Sequence, residues 1–350
     1  MILLKRSLTA PLRTANVTVD AVCAALQQAI ELEHSTIPLY LYALYSIDSS
    51  KNPAIAGIIQ SVAVEEMLHM TLASNILNAL GGSPQINTPD FIPDYPGHLP
   101  GGIEPGLTVN LAPFSMQQLE TFLDIEEPET PLVFPVKAAL EAAPAEEFDT
   151  IGQFYAAIAT AITALGDGAF VNPPRNQVGP DLMDESVVVI NVETAQQAIN
   201  TIVEQGEGTS NSPLEVVGDG VAHYYRFMEI KNGKMLVPDS SAPGGYSYSG
   251  APVPFDPTGV YPLPTNPGLP PGYPAGSIQA FANNNFNYTY TSLLNSLHLL
   301  FNGDASETRM NEAIGLMMSL KGQAKAMTSG IPDKTVFTGP SFQYLPVLPA

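Results

Sequence analysis

Two long amphipathic stretches, 20–47 and 53–80, stand only five residues apart, and this pairing limits the fold more than any other feature of the chain. At about 100° per residue, Val22, Leu26, Ile30, Ile37, Leu41 and Leu44 share one face of the first. Ile55, Ile59, Val62, Ala73, Ile76, Leu77 and Leu80 share one face of the second. Asn16 or Thr18 can cap the start of the first helix, with Pro38 in its interior. Pro53 in the first turn and Gly81-Gly82 after the last turn bound the second. Helices of this length joined by so short a loop fold back as an antiparallel hairpin, the building unit of a long-helix bundle.

Two more helices complete a four-helix core. One is expected over 145–165, with Phe148, Ile151, Tyr155, Ile158 and Ile162 on one face, and one over 189–206, with Val192, Ala195, Ile199, Ile202 and Val203. A short helix over 115–123 and a helical restart near 221 lie between core elements, and 278–301 and 307–326 form an accessory hairpin. The chain thus reads as all-α: a helical core over 1–237, a Pro/Gly-rich arm over 238–274, and a C-terminal helical hairpin and tail over 275–350. The arm holds 11 Pro and 6 Gly, a density that excludes helix or central strand. Tyr246, Tyr248, Tyr261 and Tyr273 are expected to press it onto the core.

Charge and cysteine usage narrow the function. With 34 acidic against 13 basic side chains the net charge is −21, which repels nucleic-acid phosphates and anionic lipid. A single cysteine, Cys23, excludes an internal disulfide and any cysteine-cluster metal site. The N-terminal apolar run is too short for a signal peptide, and nothing approaches the roughly 18 to 20 apolar residues of a membrane span. A soluble, cytoplasmic protein is expected, with a homo-oligomer left open. There is no Gly-rich dinucleotide fingerprint.

The polar residues that break the apolar stripes point to the chemistry. Glu33 interrupts the first stripe near its centre; Glu66 and His69, three apart, interrupt the second and can turn a carboxylate and an imidazole toward one ion. Burying such acids unpaired is costly. No lysine or arginine occurs from 52 to 136, leaving Arg226, Arg175 and Arg309 as the main protein counter-charges and a metal as the competing one. Carboxylates completed by histidine suit iron, with manganese as the second choice, and a helix Glu facing Glu-x-x-His is the bundle arrangement for one or two ions. Glu31 and His34 repeat the Glu-x-x-His spacing away from the stripe centre, Glu65 lies at the stripe edge, and His223 has the apolar helical mates Phe227 and Ile230. Glu204 and Glu207 flank Gly206 at a helix end, where the projected position of Glu204 falls off the stripe. Each of these serves equally well as ligand or as structural group. The candidate metal ligands are therefore Glu33, Glu66, His69, Glu204, Glu207 and His223. Tyr155, Tyr224 and Arg226 are the candidate catalytic residues, the tyrosines as stacking surfaces for a small-molecule substrate.

The segments AIELEHSTIPLYLYALYSI (29–47), VAVEEMLHMTLASNILNALGGSPQI (62–86), IGQFYAAI (151–158), EQGEG (204–208), HYYRFMEI (223–230) and GPSFQYLPV (339–347) resemble the ferritin-like iminophenyl-pyruvate dimer synthase family. That family is related to the imine-dimerising enzymes of violacein and rebeccamycin biosynthesis. The resemblance implies a ferritin-like core and oxidative coupling of aromatic imines derived from 2-oxo or amino acids. Its acidic and histidine pattern falls at Glu31, Glu33, His34, Glu65, Glu66, His69, Glu204, Glu207 and His223. This chain departs from the usual two-iron pattern: the third core helix offers only Glu146, Glu147 and Asp149 near its start, and the fourth carries Glu204-x-x-Glu207 in place of Glu-x-x-His. The expectation is an iron-dependent oxidoreductase of secondary metabolism; the alternative is a non-enzymatic ferritin-like metal-binding or structural protein.

Overall fold

The computed structural model describes residues 3–101, 107–129, 131–132, 148–208, 212–214, 220–330 and 336–346. Eight α-helices carry the described fold: α1 (Val19–Tyr45), α2 (Pro53–Ala79), α3 (Met116–Glu126), α4 (Ile151–Leu165), α5 (Val192–Glu207), α6 (His223–Asn232), α7 (Ile278–Asn302) and α8 (Glu307–Thr328). The expected four-helix core forms from α1, α2, α5 and α4, each packed on the next around a closed ring. The short α3 and α6 pack on each other, α6 also touches α2 and α5, and the α7–α8 hairpin lies against the outer side of α1 and α2. Among the described residues no helix is long and apolar enough to cross a membrane.

The third core helix starts later than 145. Thr150 caps α4 by accepting from the Gln153 N–H, while the Gln153 side chain accepts from the Thr150 N–H, so two orphan donors of the first turn are satisfied at once. The residues just before the cap, Phe148–Thr150 (β2), pair antiparallel with Leu3–Lys5 (β1) instead. Residues 145–147, with Glu146 and Glu147, lie outside the described residues. Asn191 caps α5 through the reciprocal arrangement with Thr194, which sets the start of the fourth core helix at Val192 and not 189. Each such cap is worth about 1 kcal/mol.

The Pro/Gly-rich stretch crosses the surface of the core beside α1. The Tyr261 N–H donates to the Ser46 carbonyl, the Asn266 N–H to that of Leu111, and the Tyr42 hydroxyl to that of Pro264. Its most deeply buried apolar side chains are Val253 and Leu263, whereas its four tyrosines are only half-buried. Short aliphatic side chains and backbone hydrogen bonds therefore seat this stretch at least as much as its tyrosines do. Beyond α8, Gly339 meets it: the Tyr273 hydroxyl donates to the Gly339 carbonyl and accepts from the Gly339 N–H, at 2.8 and 2.9 Å. A Cβ on Gly339 would overlap the Tyr42 ring, so only glycine fits there.

Candidate metal centre

Burying α1 against α2 brings Glu33, Glu66 and His69 together inside the ring, each almost fully buried. Their ligand atoms lie within 4.8 Å of one another, and a second group of the same compactness consists of Glu66, Glu126 and His223. Glu66 belongs to both. Its Oε2 faces His69 Nδ1 at 3.9 Å and its Oε1 faces His223 Nδ1 at 3.1 Å, while Glu33 Oε2 is 3.5 Å from His69 Nδ1 and Glu126 Oε2 is 3.5 Å from His223 Nδ1. The two imidazole rings stack with centroids 5.3 Å apart. Each half therefore offers one carboxylate and one imidazole of its own, and the two share the carboxylate between them.

The outer atoms of the ligands are also held. His69 Nε2 lies 3.0 Å from Gln205 Oε1, and His223 Nε2 lies 3.0 Å from Glu65 Oε2. Such partners fix the ring orientation and turn Nδ1 inward. The Tyr155 hydroxyl donates to Glu33, and the Tyr40 hydroxyl to Glu126. Arg226 does not neutralise the inner carboxylates: its guanidinium binds Glu65 Oε1 at 2.7 Å and Ser61 Oγ at 3.0 Å.

The residues fit a cation. Three carboxylates converge in a buried space, and His223 Nδ1, fully buried, has no hydrogen-bond partner despite two carboxylate oxygens close by. Close approach without hydrogen-bond alignment is the geometry of donor atoms directed at a common point between them. Electrostatics tell the same story. Burial, together with the charges of Glu126 and Glu33, pushes the Glu66 carboxyl up to about 8. Burial acts upward on Glu33 as well, but the hydrogen bond and charge of His69 and the Tyr155 hydroxyl hold it below the usual range. Burial opposes protonation of His69 and His223, and the surrounding carboxylates outweigh it and raise both. With no other cation among them, these groups share protons; a bound divalent ion removes the crowding of like charge.

Not every expected residue arrives. Gln205, not Glu204, meets His69, because the α5 face that includes Ile202 and Ala198 points inward and Glu204 lies off it, as its projection indicates. Glu207 stands at the rim, accepting from the Gly152 N–H at 2.9 Å, and burial pushes its carboxyl up to about 7. Tyr155 is at the centre; Tyr224 packs edge-on against Tyr225 away from it. Glu31 is engaged by Gln27 and Gln28, and Asp149 by Thr9, Arg6 and Arg13. His34 faces the opposite side of α1, where its Nε2 is 2.7 Å from the Tyr290 hydroxyl.

Glu126 is the ligand candidate that sequence reading missed. It ends α3 on the same face as Leu119, Phe122 and Leu123, so it stands on an apolar stripe in the same way as Glu33 and Glu66. The expected helix stopped at 123, one residue group too early. Carrying the i, i+3, i+4, i+7 pattern one turn further exposes it.

A cavity of about 50 Å³ adjoins the centre, lined by Glu33, Glu66, His69 and Glu126 and rimmed by Ile151, Gly206 and Glu207. It holds a molecule of very few heavy atoms.

A helical ring with a shared, buried carboxylate between two Glu/His pairs is the architecture of the carboxylate-bridged metal bundles. The ferritin-like family model matches residues 26–232, more than half of the sequence, and the chain belongs to the ferritin-like family. A ferritin-like protein from Caulobacter vibrioides shares the fold with a TM-score of 0.62 at 23% identity, over 94% of this chain and 98% of that one. No curated protein matches the chain.

Proposed function

We propose that the chain is an iron-dependent oxidoreductase with a two-ion centre, one ion held by Glu33, His69 and Glu66 and the other by Glu126, His223 and Glu66. The observation that supports this most directly is the pair of Glu/His groups joined through the two oxygens of Glu66. Bound iron supplies redox chemistry toward oxygen or peroxide.

The protein's own groups set the conditions. The small cavity has room for a small oxidant beside the carboxylates, and Tyr155 and Tyr40 hold Glu33 and Glu126 in place by donating to them. Glu207, whose carboxyl titrates near neutrality, sits where it can hand a proton inward or take one from a substrate at the rim. The substrate class follows the sequence resemblance: aromatic imines from 2-oxo or amino acids, coupled in pairs. Each coupling removes two electrons and two protons from the substrate pair, and one peroxide takes them up with its own two protons to give two waters. Because the cavity is too small for an aromatic ring, the imine is placed at the rim beside Ile151, Gly206 and Glu207.

Anaerobic titration with ferrous iron, followed by elemental analysis, is expected to give two ions per chain in the wild type and none in Glu66→Ala. Wild-type protein that binds no transition metal defeats the reading. Iron binding without coupled product from aromatic imines and peroxide leaves the metal centre standing and removes the substrate class.

A further inference from the structure

The face of α1 and α2 turned away from the metal centre encloses a second and much larger space. This cavity, about 570 Å³, lies between α1, α2, α7 and α8 and falls in the size range of small-molecule sites. It follows α7 from Tyr290 to Leu300, about 15 Å at 1.5 Å per residue, so it is elongated. Leucine and methionine are the commonest residues of its wall, Met67, Met70, Met183, Met310, Met317 and Met318 being six of the protein's 11 methionines, with polar groups such as His34, Thr71 and Tyr290 among them. Unbranched thioether side chains conform to a flexible apolar guest better than to one rigid shape.

The mouth has a different character. Lys321 and Lys325, both exposed, stand one turn apart on α8 at the rim, beside the exposed Val64 and Met318. Among the described residues neither lysine has a carboxylate within 4.0 Å; Lys321 reaches only Gln60 Oε1 at 3.4 Å. Asp48, also on the rim, is engaged by the Ser50 N–H and hydroxyl and interacts through its charge with Lys51 and Lys325. In a chain with only 13 basic side chains and a net charge of −21, two lysines against the single carboxylate of Asp48 at the opening of this cavity leave a local excess of positive charge.

We infer that this cavity binds a long-chain monocarboxylate of the fatty-acid type, its tail among the methionine and leucine side chains and its carboxylate at Lys321 and Lys325. Elongation and apolar lining select the tail, and the lysine pair selects the head group against the field of the whole protein. The inference does not depend on the metal chemistry.

Calorimetric titration of the full chain with lauric acid, methyl laurate and dodecylamine, all below their aggregation concentrations, tests it. Laurate is expected to bind saturably at one per chain with a negative heat-capacity change, and the ester and the amine at least tenfold more weakly. The surface variant Lys321→Gln/Lys325→Gln is expected to weaken laurate at least tenfold, and Leu297→Trp, which sets an indole into the cavity, to weaken it as well while the helical circular dichroism is retained. Absence of saturable laurate binding, amine binding as tight as laurate, or laurate affinity unchanged in the lysine variant overturns the inference. So does a dimer that Leu297→Trp dissociates in sedimentation, since a second copy would then be the occupant. If Leu297→Trp fails to fold, the head-group series on wild-type protein and the lysine variant still decide.

Discussion

The two halves of the candidate metal centre have matching side chains and different supports. Glu33 and His69 come from the middles of α1 and α2, helices of 27 residues each, whose backbones are fixed by turns on both sides. Glu126 is the last residue of α3, and His223 the first of α6, helices of 11 and 10 residues. Helix ends fray and helix middles do not. The outer partners differ as well: neutral Gln205 behind His69, and the carboxylate of Glu65, itself held by Arg226, behind His223. One half owes its geometry to the scaffold, the other to a chain of polar contacts, and the second compensates with a charged partner that makes its imidazole the more basic ligand.

The largest test of this contrast is Glu66→Ala, which removes the shared carboxylate and should reduce bound iron from two per chain to none in elemental analysis. Glu126→Ala comes next: one ion should be lost and one kept, whereas an equal loss of both would mean that the halves do not load independently. Glu65→Ala should cost about 10- to 100-fold in affinity for the second ion, the usual effect of removing an outer partner, and Gln205→Ala a smaller factor for the first, both read by competition with a chelator. The smallest effect expected is that of Glu204→Ala, with metal content and affinity unchanged.

A pH test bears on the rim. Burial raises the Glu207 carboxyl from its ordinary value near 4.5 to about 7, so between these two values the folded state holds a proton that the unfolded state has released. The contribution of Glu207 to the stability of the metal-free protein should therefore fall as pH rises through that window and level off above it, while the raised Glu66 carboxyl continues the decline toward about 8; Glu207→Gln should remove the lower part of this slope from the thermal-midpoint profile.

The scaffold-built half was readable in the sequence, and the contact-built half only partly. Glu33, Glu66 and His69 stand out because each interrupts a long stripe whose period is set by many neighbours. His223 could be assigned an inward face but not a partner, since Glu65 and Glu126 reach it through packing between elements distant in sequence. Glu126 escaped because the expected helix ended at 123, one turn short of the position where a carboxylate continues the stripe of Leu119, Phe122 and Leu123. Spacing without facing is not enough: Glu31-x-x-His34 repeats the motif off the stripe centre, and one residue along a helix is a rotation of about 100°, enough to put His34 on the far side of α1. Glu204 shows the same effect in reverse: it counts among the candidate ligands, yet its projected position off the stripe is the one the structure follows, and Gln205 takes the inward place. The four-helix core followed from periodicity, whereas the start of α4 was set by a Thr150–Gln153 cap and a pairing with β1 that no periodicity encodes.

The contact around Gly339 has a consequence for the order in which the molecule assembles. Tyr42 of α1 touches the stretch at Pro264, and Tyr273 closes on Gly339, joining positions separated by 222 and 66 residues. Loops of that span close slowly, and the Tyr273 clasp cannot form until the chain beyond α8 is available. During synthesis the helical ring can therefore condense around its centre while the Pro/Gly-rich stretch is still unfastened, and the clasp at Gly339 is a late event in maturation.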